Sequence, residues 1–337
     1  MTSRELISAI IQRKTHQGSA FWLGNPKPET IRIYHRYFGT KNDEELRQKL
    51  GDDFRWVTPQ YLPETYRHHD GKGIFDIWKQ KKSLGEPGPL GNVREISEVD
   101  EYDWPDARYL NLDEALKILD TTGEYYRASG FWCPFFHDVM DLVGAENYMT
   151  KAYTDPDIID AITNHVCSFY LQANEIFYKA AGLKIDAFFF GNDFGTQRDL
   201  LLSPSQFDRF ILPYIKRLIE QARSYGYQII LHSCGSVHDV IEKLISAGVQ
   251  CLHPIQARAA KMDALTLAHD FGGRISFMGG IDTQEILVNS SPADVKREVR
   301  RIKKLLDPYL IVSPSHEALL TDVPPENVAA MAEAAHE

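Results

Sequence analysis

The chain has 337 residues, 43% hydrophobic and 25% charged, enough to bury a large core within a single α/β barrel. Its net charge of -10, with no Lys/Arg run interleaved with aromatics, argues against a phosphate-tracking surface, so nucleic acid is not an expected partner. No stretch approaches about 18 uninterrupted apolar residues, Met1 to Gln17 lacks a secretory pattern, and the four cysteines, Cys133, Cys167, Cys234 and Cys251, lie far apart; the expectation is a cytoplasmic chain with free or metal-bound thiols and no membrane partner.

Hydrophobic periodicity and turn residues predict a first strand over Ala20 to Leu23, with Asn25 just past its end. A loop from Gln60 to Gly71 carries His68 and His69, and a second strand is predicted over Gly73 to Ile77, with Asp76 near its end. The Pro/Gly-rich stretch from Lys82 to Asp106 reads as a long insertion, a candidate lid or a solvated surface loop. A third strand, Tyr125 to Ala128, precedes Phe131, Trp132, Phe135 and Phe136, which suit a pocket wall or the core, and Cys167 falls on a helical stretch as a core residue. From Ile185 the rhythm is regular: strand Ile185 to Phe190, helix Pro204 to Ser224, strand Tyr227 to Leu231, helix Val237 to Ala247, strand Val249 to Leu252. Helix Asp263 to Asp270, strand Arg274 to Met278, helix Pro292 to Leu306, strand Tyr309 to Val312 and a helix starting near Pro324 complete it. Eight strands alternating with helices, and no Gly-x-Gly-x-x-Gly after any strand, predict a closed (β/α)8 TIM barrel rather than an open sheet. The whole chain, residues 1–337, is read as a single domain with an insertion near 80–110.

In such a barrel the residues just past each strand share the functional face. They include Asn25, Asp76, Asp193, His232 with Cys234, His253 with Gln256, Asp282 and His316. Residues two apart on a strand face the same way, so His232 and Cys234 point into one space with stems roughly 6 to 7 Å apart, a spacing that suits two corners of a zinc tetrahedron. His-x-Cys alone also suits a strand-end His bonded to a carbonyl beside an inert Cys, and Asp193 and Asp282 each suit a helix cap. Three strand ends carrying His favour a shared site.

Several segments resemble the uroporphyrinogen decarboxylase superfamily: Gly191 to Gln197 (GNDFGTQ), Leu231 to Ser236 (LHSCGS), Gly279 to Gln284 (GGIDTQ), Pro314 to His316 and Asp322 to Val328 (DVPPENV). Trp22 to Pro26 is similar to the first strand of the same group. The His-x-Cys-Gly element resembles its zinc-dependent cobamide methyltransferase branch, which implies a (β/α)8 barrel, a Zn2+ cofactor and a corrinoid carried by a partner protein. The third ligand of that branch, a Cys after the last strand, corresponds here to His316, so the implied ligand set is His232, Cys234 and His316. One thiolate fewer leaves the metal less electron-rich. Asp193 and Asp282 are the candidate catalytic residues; Asn25, Asp76, Gln197, His253 and Gln256 are candidates for holding a small-molecule substrate.

Two other readings stand beside methyl transfer. Uroporphyrinogen decarboxylase proper works without metal and uses an Arg-rich N-terminal segment, whose Arg-Gln-Ala-Gly-Arg pattern this chain lacks. A non-catalytic binding protein on the same barrel is the third.

Overall fold

The computed structural model describes residues 1–60, 65–71, 74 and 86–337. Eight parallel strands run in the order β1-β8-β7-β6-β5-β4-β3-β2: β1 Ala20–Phe21, β2 Phe54–Val57, β3 Tyr126–Ser129, β4 Ala187–Gly191, β5 Gln228–His232, β6 Cys251–Ile255, β7 Ser276–Ile281 and β8 Leu310–Pro314. The seam between β1 and β2 is closed by Asp53 N–H to Phe21 O at 2.9 Å and by two carboxylates. Asp53 Oδ2 accepts from Phe21 N–H at 3.0 Å, and Asp52 Oδ2 from Leu23 N–H at 3.2 Å. The result is the predicted (β/α)8 barrel, nearly continuous around its circumference.

Strand alternation sorts the side chains. Trp22, Phe54, Tyr126, Phe189, Ile230, Cys251, Met278 and Ile311 fill the interior, whereas Phe188, Leu231, Leu252, Phe277 and Val312 belong to the larger cluster that includes the surrounding helices. Helix α1, Ser3–Ile11, starts with a capping box between Thr2 and Glu5 and buries Ile7, Ile10 and Ile11 in the interior cluster. Ser276 Oγ donates to Ile10 O at 2.7 Å and Gln228 Nε2 to Ser8 O at 3.1 Å, so α1 stoppers the N-terminal end. Access is left at the carboxyl ends of the strands.

The six strands from β3 onward lie within three residues of their predicted bounds, and β1 is the first two residues of its predicted span. β2 differs: it is Phe54–Val57, and the predicted Gly73 to Ile77 strand, with Asp76, falls almost wholly outside the described residues. Arg55 hid it. Its charge interrupts the apolar run, yet the guanidinium points outward to Glu44, at 2.8 and 2.9 Å, while Phe54 points inward. The predicted helix Pro204 to Ser224 breaks at Ile211 into Pro204–Phe210 and Leu212–Ser224, with Pro213 inside the first turn of the second. The described part of the insertion is packed structure. It forms helix Ile96–Asp100 and a 3-10 turn, Ala107–Tyr109, and Trp104 stacks on His165 of the long helix Pro156–Ala181 at 4.6 Å with a 2° interplanar angle. Among the described residues no helix is long and apolar enough to cross a membrane.

Candidate metal centre

β5 and β6 pair in register so that His232 sits beside His253 at the top of the barrel interior. Interior residues on these strands are Ile230 and Cys251, and the two-residue repeat turns both imidazoles inward above them. His232 Nδ1 lies 2.9 Å from His253 Nδ1, and His232 Nε2 faces the mouth, 3.4 Å from Cys234 Sγ and 3.3 Å from Asp193 Oδ1. Tetrahedral zinc with bonds of about 2.0 to 2.3 Å has N···S and N···O edges of about 3.6 and 3.3 Å. Both distances lie close to those edges.

The turn after β5 is shaped by its neighbours. Cys234 N–H donates to Asp193 Oδ1 at 2.8 Å, and Gly235 N–H donates to Gln256 Oε1 at 2.5 Å. Gly235 has φ +84°, and a Cβ there would fall 2.4 Å from the carbonyl carbon of Gly195, so only glycine lets the two mouth loops touch. At the end of β4, a Cβ on Gly191 would lie 2.1 Å from the Trp132 ring, whose centroid is 5.0 Å from that of His232. The glycine therefore makes room for the indole over the imidazole.

Burial raises the thiols of Cys133, Cys167 and Cys251, leaving them inert. Cys234 is the exception: burial opposes ionisation, but hydrogen bonds from His232 and His316 outweigh it and lower the thiol pKa. Burial likewise opposes a charge on His232, yet hydrogen bonds to Asp193 and Cys234 and the Glu317 carboxylate push its pKa up to about 10. Asp193, despite burial, is held below the usual carboxylate range by His232 and the Cys234 N–H. A thiol biased toward ionisation, an imidazole biased toward protonation and a carboxylate thus meet at one point.

At neutral pH a metal taking His232 Nε2 must displace a proton, whereas Cys234 is already biased toward thiolate. Zinc affinity should therefore rise by about tenfold per pH unit from pH 6 to 8, with at least one proton released per ion. Calorimetry in two buffers of different ionisation enthalpy reads this directly; pH-independent affinity would mean that His232 is neutral.

His316 and Glu317 follow β8. The His316 ring hydrogen-bonds to Cys234, which raises its pKa against burial, and its Nδ1 accepts from Ala318 N–H at 3.0 Å. Sequence reasoning did not single out Glu317. Its Oε2 is buried without a hydrogen-bond donor, 3.7 Å from His232 Nδ1 and 3.6 Å from His316 Nδ1. The available signal was its position, in the polar segment after the last strand and next to a candidate ligand. Two donor groupings at the barrel mouth have their ligand atoms within 4.8 Å of one another: Asp193, His232, Cys234; and His232, His253, Glu317. His316, the expected third ligand, stands in neither grouping; it borders them through its hydrogen bond to Cys234 and its 3.6 Å contact with Glu317.

His253 lies beneath this centre, fully buried, in contrast to the substrate contact expected of it. Zinc on His232 Nε2 requires a proton on Nδ1, which donates to His253 Nδ1; His253 then carries its own proton on Nε2. That nitrogen has no hydrogen-bond partner, and the ring meets Trp22 and Phe189 at 5.2 and 5.3 Å in T-shaped contacts. Burial and the neighbouring imidazoles lower its pKa, keeping it neutral and able to accept. His253→Leu should weaken zinc binding by about 10- to 100-fold in a chelator competition, the usual cost of losing a ligand's hydrogen-bond partner. Unchanged affinity would remove His253 from this role.

The remaining predicted residues scatter in role. Asp282 accepts from the N–H groups of Gln284, Glu285 and Ile286 at 3.2, 3.0 and 3.3 Å, which matches the capping reading. Gln256 holds the Cys234 turn, and the Gln197 side chain is exposed while its carbonyl accepts from Ala260 N–H at 3.0 Å. Asn25 donates its N–H to Glu317 O at 2.7 Å and lines a cleft of about 890 Å³ together with Trp56, Thr58, Gln60, Trp132 and Glu317. His68 and His69 form a separate exposed group with Asp70.

Fold and site together define a (β/α)8 barrel with a thiol, imidazole and carboxylate cluster at its open end. The chain belongs to the uroporphyrinogen decarboxylase (URO-D) family, whose model matches residues 84–337. It is similar to the methylcobamide:CoM methyltransferase MtbA of Methanosarcina mazei, with 21% identity over 245 residues, 72% of this chain and 68% of that protein. A solved methyltransferase from Methanosarcina mazei shares the fold with a TM-score of 0.68 at 15% identity, covering 99% of this chain and 98% of the other. These likenesses lie on the methyltransferase side of the family.

Proposed function

We propose that this chain is a zinc-dependent methyltransferase, moving a methyl group between a corrinoid on a partner protein and a thiol or related small-molecule acceptor. The observation that most supports this reading is that His232 Nε2 stands 3.4 Å from Cys234 Sγ and 3.3 Å from Asp193 Oδ1, close to two edges of a zinc tetrahedron. His232, Cys234 and His316 would hold the ion, with the Asp193 and Glu317 carboxylates beside it. Bound zinc would lower the pKa of an acceptor thiol so that its thiolate exists at neutral pH. His253 fixes the tautomer of His232, Asp193 holds the Cys234 backbone in place, and Trp132 covers the His232 ring against water. The cleft that shares Glu317 and Trp132 with this cluster seats the acceptor.

A polycarboxylate substrate fits less well. Of the charged residues described along the cleft, Lys27 is the one cation against Asp43, Glu114 and Glu317, where several carboxylates would need several cations. The test is metal analysis followed by methyl transfer from methylcobalamin to a panel of thiols. About one zinc per chain, with activity lost to a chelator and restored by zinc, is the expected result. Porphyrinogen decarboxylation at an ordinary enzymatic rate, unaffected by chelation, would overturn the proposal.

A further inference from the structure

His68 and His69 stand apart from the centre at the barrel mouth, yet the segment that carries them is firmly anchored. Arg67 N–H donates to Tyr109 O at 3.0 Å, Asn111 N–H donates to Thr65 O at 2.7 Å, and Tyr66, buried, bridges Leu110 in antiparallel fashion. Beyond that base the chain turns back, with Gly71 N–H closing on His68 O at 3.0 Å. The His68 and His69 rings stack with centroids 4.2 Å apart and planes inclined at 29°, and the Tyr109 ring flanks them at 4.8 and 5.7 Å. Side chains already held by packing lose less freedom when they gather round an ion.

Hydrogen bonds aim the donors. Asp70 N–H donates to His68 Nδ1 at 3.2 Å, so that nitrogen carries a lone pair on the Asp70 side. His69 Nδ1 lies 3.1 Å from Tyr109 Oη, and His69 Nε2 lies 3.1 Å from Asp70 Oδ2. A hydroxyl both donates and accepts, so Tyr109 holds the His69 ring in either tautomer and accepts from Nδ1–H when Nε2 takes an ion. One ligand atom from each of His68, His69 and Asp70 lies within 4.8 Å of the other two, and the His69 to Asp70 separation is near the N···O edge of about 3.3 Å around a tetrahedral ion.

We infer that His68, His69 and Asp70, oriented by Tyr109, form a second metal site, for a borderline divalent ion such as Ni2+ or Cu2+. Two imidazoles and a carboxylate without thiolate suit these ions, whereas the cysteine-containing centre suits zinc. The side chains of His69 and Asp70 are exposed, so the ion exchanges with solvent and is held less tightly than at the mouth. The three ligands are consecutive in the chain; a bound ion would lock the turn from His68 to Gly71.

The test is calorimetric titration of the untagged full chain with Ni2+, run on zinc-loaded wild type and in parallel on Cys234→Ala, so that the outcome does not depend on the mouth centre. One Ni2+ per chain is expected to bind in both. His68→Ala and His69→Ala should each weaken it by more than about tenfold, and Tyr109→Phe, which keeps the ring and removes the hydroxyl, by about tenfold, as when a ligand's outer partner is lost. His269→Ala, at an exposed histidine elsewhere, should change nothing. Mg2+, which prefers all-oxygen shells, should not compete. Circular dichroism checks folding, which side chains this exposed should not disturb. Absence of saturable Ni2+ binding, wild-type affinity in a His68→Ala/His69→Ala double variant, or equal competition by Mg2+ would overturn the inference. So would wild-type affinity in Tyr109→Phe, which would reduce the pair to ordinary surface histidines.

Discussion

Cys234→Ala should lose zinc affinity by more than about 100-fold, beyond the range expected when a ligand's outer partner is removed. The thiol is the soft donor of the cluster, and its side chain sits between His232, at 3.4 Å, and His316. Removing it deletes a ligand and also the partner that raises the pKa of both imidazoles. Metal loss should therefore come with loss of any metal-dependent methyl transfer while the barrel remains folded, because a core of this size does not depend on one ion. Parallel titrations of His316→Ala, Asp193→Asn and Glu317→Gln rank the remaining donors. If His316→Ala keeps wild-type affinity, His316 acts as a hydrogen-bond donor to the Cys234 sulfur and a carboxylate completes the site. If Cys234→Ala itself keeps wild-type affinity, the metal is not here.

The largest expected stability effect lies at the β1–β2 seam. Asp52 is fully buried; its carboxylate accepts from Leu23 N–H at 3.2 Å, Phe54 N–H at 2.9 Å and Arg47 Nη1 at 2.5 Å, with Arg55 Nη1 at 3.5 Å. Asp52→Ala would leave the largely buried Arg55 without one of its counter-charges and two strand N–H groups without acceptors. Breaking such a buried pair typically costs about 3–5 kcal/mol. Asp52→Asn keeps an acceptor and should cost less. Urea unfolding monitored by tryptophan fluorescence would measure both, and wild-type stability of Asp52→Ala would show the seam to be held by other contacts. Since Trp56 and Asn25 flank this seam, a destabilised variant should also show a looser cleft.

The strands from β3 to β8 were legible because each is a short apolar run bounded by turn residues, with a helix of ordinary period between it and the next. β2 was not, because its signal depends on an arginine whose charge is neutralised by Glu44, distant by 11 residues, and by Asp52. The His232 and Cys234 pairing was legible for a simpler reason: strand period alone turns residues two apart to one side. The standing of His253 required register, since only the pairing of β5 with β6 shows that its ring lies under His232 instead of in the cleft. Glu317 was hidden by its neighbour. A residue immediately after His316 has the opposite facing by simple alternation, yet the backbone after β8 leaves strand geometry and brings both side chains toward the cluster. Asp282 shows the converse, a polar strand-end residue whose hydrogen bonds are consumed by its own turn.

Helix α1 makes the barrel a blind well. With the lower end sealed by Ile7, Ile10 and Ile11, anything bound beside Cys234 enters and leaves through the opening at which a carrier protein would also have to arrive. If the proposed carrier docks over that opening, the small reactant would have to enter first, and the product would stay confined until the carrier left. Exchange of such a carrier, rather than diffusion of the small molecule, would then control turnover.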